Sequence, residues 1–67
     1  MAYVKDLIKR YEAAVTAVKK AEDPADITKQ ERLLQPVLKE LQLAIPRVWD
    51  DFIIVTRERR EQIRNGE

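Results

Sequence analysis

Leu41-Gln42-Leu43-Ala44-Ile45-Pro46-Arg47-Val48 decides how this chain folds. A residue that precedes proline avoids helical geometry, so Ile45 is a natural helix boundary. Yet Gln42 to Arg47 contains no Gly, Asn, Asp or Ser, the residues that normally build a turn. Apolar residues also keep one helical phase across Pro46. Ile27, Leu34, Leu38, Leu41, Ile45, Val48, Phe52, Val55, Arg59 and Ile63 share that phase, and from Leu34 to Arg59 the steps alternate four and three. That is a heptad seam with an arginine in its last position.

Two architectures follow. In one, the chain reverses near Leu43–Pro46 and closes as a compact all-α three-helix bundle, with breaks near Asp23–Asp26 and Ile45–Pro46. In the other, a helical hairpin carries one long proline-kinked helix from about Thr28 to Arg64, which dimerises to cover its outer half. Helix–helix connections of a few residues are common, so the bundle is the expected fold, one domain over residues 1–67.

Upstream of the seam, Val4, Leu7, Ile8, Tyr11, Ala14, Val15 and Val18 recur at three- and four-residue spacing. They predict an amphipathic helix over about Ala2–Glu22, with Lys5, Lys9, Glu12, Lys19 and Lys20 on its wet side. Asp6 and Arg10 form a favourable i,i+4 pair. The second helix starts between Pro24 and Thr28. Asp23 can cap it with Pro24 in the first helical position, or Thr28 and Glu31 can form a capping box. It is expected to turn Leu34, Val37, Leu38, Leu41, Ala44 and Ile45 inward. Pro36 interrupts its hydrogen bonding and is expected to kink it, with both Pro36 and Pro46 facing away from the seam.

Phe52-Ile53-Ile54-Val55-Thr56 has strand propensity. A lone strand would have no partner in this chain, so Pro46 to Arg64 reads as helix. Asp50 and Asp51 near its start and Arg57, Arg59, Arg60 and Arg64 near its end match the helix dipole.

Composition bounds function. The chain has 67 residues, is 37% charged and 45% hydrophobic, and carries a net charge of +1. That balance suits neither disorder nor a membrane span, and it supplies no global field toward nucleic acid or lipid. Without His or Cys there are no disulfides, and a zinc site is not expected. Met1-Ala2-Tyr3-Val4-Lys5-Asp6 lacks the basic-then-apolar layout of a signal peptide, so a cytoplasmic protein is expected.

Asp50/Asp51 and Glu58/Glu61 are the only paired carboxylates on the last helix that suggest acid–base work. Arg47 and Arg57 stand four residues before Asp51 and Glu61, at ion-pairing spacing. The expectation is therefore a non-enzymatic chain with no catalytic, cofactor or metal residues. Arg59 is expected beyond the last covered turn, its stem on apolar surface and its head in water. Alternatively, it sets register in an oligomer.

Trp49, Ile53, Arg57, Arg60 and Arg64 lie within roughly 80° of one another on a helix of about 100° per residue. They combine an aromatic anchor, an aliphatic neighbour and planar cations that grip carboxylates. This stripe is the expected binding face for another protein, in an adaptor, inhibitor or accessory role. The competing reading of Trp49 and Ile53 is that they only widen the core stripe. The functional alternatives are a nucleic-acid-associated protein using the arginines from Arg57 to Arg64, and a homo-oligomer assembled on the seam. Acidic residues interleaved with those arginines weigh against nucleic acid.

Overall fold

Asp23 starts the second helix in the first of the two ways open to it. Its carboxylate accepts a hydrogen bond from the Ala25 N–H at 2.9 Å, and Pro24 occupies the first helical position. The computed structural model describes residues 2–66, which form α1 (Ala2–Lys20), α2 (Pro24–Leu41) and α3 (Val48–Arg64). Each helix packs on the other two, so the fold is an all-α three-helix bundle. The capping-box reading gives way here. The Thr28 hydroxyl donates to the Pro24 carbonyl at 3.3 Å, and Glu31 is engaged elsewhere.

The long kinked helix is excluded as well. α2 ends at Leu41, and the Leu41 carbonyl accepts from Ala44 N at 3.0 Å and from Ile45 N at 2.8 Å. Val48 N then bonds the Ile45 carbonyl at 3.0 Å. Backbone groups alone close this turn, with Pro46 contributing no donor, which is why the segment needs none of the usual turn residues. Ala44 and Ile45 belong to this connection and are exposed, contrary to the inward placement expected for them. α2 continues through Pro36, which is exposed, as is Pro46.

The core consists of Leu7, Ala14, Val18 and Ala21 with or just beyond α1, Ile27, Leu34, Val37, Leu38 and Leu41 from α2, and Val48 and Phe52 from α3. Tyr11 packs its ring on Phe52 at a centroid distance of 6.0 Å and 58° between planes. Burial pushes the Tyr11 phenol above its ordinary pKa, and the Asp51 charge adds to the rise.

In α3 the buried line passes through Thr56, which is 2% exposed, rather than through Val55 and Arg59. Val48, Phe52 and Thr56 form one i, i+4 row, and this row is the buried one. The Thr56 hydroxyl is satisfied by donating to the Ile53 carbonyl at 2.9 Å. Among the described residues no helix is long and apolar enough to cross a membrane, and no three carboxylates cluster as metal ligands.

Candidate partner-binding surface

α3 carries four arginines between Arg57 and Arg64, and the fold divides them. Arg59 points toward α1. Its Nε donates to the Ala21 carbonyl at 2.8 Å, just past the α1 C-terminus, and its Nη1 to Gln62 Oε1 at 3.1 Å. A helix C-terminus leaves carbonyls without partners and carries partial negative charge, so a guanidinium there satisfies both needs. The head expected in water is thus fixed on backbone.

Arg60 points the other way, onto α2. Its Nη1 donates to Glu31 Oε2 at 3.1 Å, and its Nη2 donates to Glu31 Oε1 and to Thr28 Oγ1, the latter at 3.1 Å. The forked geometry is the strong form of an arginine–carboxylate contact. The hydrogen bond to Glu31 holds the Arg60 guanidinium above the usual arginine range, burial opposes this, and the Glu31 charge reinforces it. About a third of each side chain stays exposed, at 37% and 33%, so screening limits the pair to roughly 1 kcal/mol.

Arg57 and Arg64 are exposed, and among the described residues neither makes an ion pair or a side-chain hydrogen bond. The expected Arg57–Glu61 and Arg47–Asp51 pairs are not formed, while Asp6–Arg10 is, at 3.2 Å. Asp50, Asp51, Glu58 and Glu61 are all exposed.

The stripe read from the sequence follows the seam between α2 and α3. Two neighbouring depressions lie along it. One, about 310 Å³, has Leu38 and Phe52 beneath and Trp49, Ile53 and Gln35 around it. The other, about 520 Å³, lies between Pro24 and Ile63 under Arg57 and Arg64. Arg60, Glu31 and Thr28 cross between them as a polar bar. Trp49 is half-buried and packs against the core, whereas Ile53 is 47% exposed. All five stripe residues thus line the groove, and one of them, Arg60, also braces its walls.

The α2 wall was missed in the sequence. Arg32 and Gln35 line the groove, and Thr28, Arg32 and Gln35 share one flank of α2 by helical spacing. That periodicity is visible in the chain, but Thr28 and Glu31 were read as a cap, which hid the flank they belong to. Comparison of the chain with protein-family models, with curated proteins and with solved structures gave no match in any of the three.

Proposed function

We propose that this chain is a non-enzymatic, cytoplasmic binding module that holds another protein in the groove between α2 and α3. The observation that carries the reading is the strip beside that groove. It aligns half-buried Trp49, exposed Ile53, and Arg57 and Arg64, whose side chains find no partner among the described residues, over an apolar floor. Aromatic and arginine side chains of this kind dominate binding energy at protein interfaces. Self-assembly through the heptad seam is less well supported, because Leu34, Leu38, Leu41, Val48 and Phe52 are buried within the one chain. Nucleic-acid binding is also less well supported, because Arg59 and Arg60 commit donors internally, leaving two of the four arginines for phosphates.

A photo-crosslinking amino acid at position 53, compared with one at position 54, tests this in cells that make the protein. Ile54 is 44% exposed and so offers nearly the same accessibility from outside the groove. A discrete protein adduct from position 53 and none from position 54 is expected. Equal labelling from both, or adducts only to nucleic acid, would overturn the proposal.

A further inference from the structure

The chain's net charge is +1, yet the groove alone carries an excess of two positive charges. Arg32, Arg57 and Arg64 stand against Glu61, while Arg60 and Glu31 cancel. The charge is also unevenly placed. Arg57 and Arg64 occupy the end near Pro24, and Trp49, Ile53, Phe52 and Leu38 occupy the other. Outside the groove, Asp50 and Glu58 line the adjoining strip of α3 by helical phase.

We infer that the occupant is an acidic amphipathic helix of about four turns, lying along the groove in one direction. Its apolar residues cover Trp49 and Ile53, and its carboxylates meet Arg57 and Arg64. The inference rests on the protein-binding reading above and adds the partner's chemistry.

Three observations select this occupant. Both walls of the groove are helices, so no strand edge exists among the described residues for an extended peptide to extend. What remains for an apolar floor between helices is helix-in-groove docking, read by anchors at i, i+4 and i+7. Trp49 to Arg64 spans about 22 Å at 1.5 Å per residue, which matches four helical turns.

Charge complementarity then sets composition and direction. Arginines recognise carboxylates in forked pairs, and an excess of positive charge steers acidic partners while rejecting basic ones. A continuous row of phosphates would also run into Glu61, on the rim of the cationic end. A peptide places a carboxylate only where an arginine waits.

Selection of random 18-residue peptides displayed on phage, using the folded 67-residue chain as bait, tests the inference. Selected sequences are expected to be rich in Asp and Glu toward one end and in apolar residues at i, i+4 spacing toward the other. Synthetic versions should lose at least tenfold in affinity for Arg57→Glu/Arg64→Glu and for Ile53→Asp, each shown by circular dichroism to be folded. Peptides without acidic enrichment that lose affinity for Ile53→Asp alone would overturn the acidic-helix inference and leave the protein-binding reading standing. No selected peptide, or peptides indifferent to both variants, would overturn both. So would a single-stranded or duplex oligonucleotide that binds more tightly than any peptide at physiological salt.

Discussion

The Ala21–Asp23 connection and the Gln42–Arg47 connection join similar helices by opposite means. The first is built from side-chain chemistry. Asp23 caps α2, Arg59 reaches from α3 to the Ala21 carbonyl, and Arg60 ties α3 to Glu31 and Thr28 one turn further on. The second is closed by backbone hydrogen bonds alone. α3 begins without a side-chain cap, and Leu43 is left 86% exposed. One end of the bundle is latched by polar groups of α2, α3 and the connection between α1 and α2, and the other simply turns. The latch stands on the groove's cationic end, so the residues that brace the fold and those offered to a partner interleave along α3.

Phe52→Ala should have the largest effect, because Phe52 is 2% exposed and packs its ring on Tyr11 of α1 beside Leu38 of α2. Truncating a buried Phe costs about 3–5 kcal/mol, which equals roughly all that a core of this size supplies. The variant should be largely unfolded by circular dichroism at 25 °C. A stable Phe52→Ala fold would mean that the polar latch holds the bundle without this part of the core.

Removing the latch comes next. Arg59→Ala with Arg60→Ala should cost about 2 kcal/mol, since charge-assisted hydrogen bonds that are partly exposed contribute around 1 kcal/mol each. The urea midpoint should fall accordingly. The same loss from Arg57→Ala with Arg64→Ala would erase the contrast between the two arginine pairs.

The fold was largely legible because its determinants are local. Helical spacing marked α1, Asp23-Pro24 marked the start of α2, and Pro46 marked the second break. What was hidden depends on which helices become neighbours. Thr28 and Glu31 satisfy the local pattern of a capping box, and only the approach of α3 gives them Arg60 as a better partner. Arg59 reads as the polar end of a seam until the α1 terminus arrives beside it. The inward position of Thr56 follows the i, i+4 row from Val48 and Phe52, which an alternating count of fours and threes passes over. The stripe on α3 was legible as a face. Its α2 wall was not.

Asp23→Ala tests the latched end by itself. Loss of a helix N-cap costs about 1 kcal/mol, which for a domain of this size lowers Tm by about 4–8 °C. The smallest effect belongs to the other connection. Leu43→Ser should change stability by no more than about 0.5 kcal/mol, because an exposed side chain outside any network contributes little. A large loss at Leu43 in thermal melts would show that the uncapped turn is held by contacts on its outer side.

The central claim is that α3 divides its arginines, two to the fold and two to the surface. Hydrogen exchange of arginine side-chain N–H groups, followed by NMR on the isolated chain, tests this most directly. The Arg59 Nε–H on the Ala21 carbonyl and the Arg60 Nη–H groups on Glu31 should exchange slowly, while Arg57 and Arg64 exchange as fast as free arginine. Four arginines that exchange alike would contradict the division and the partner surface built on it.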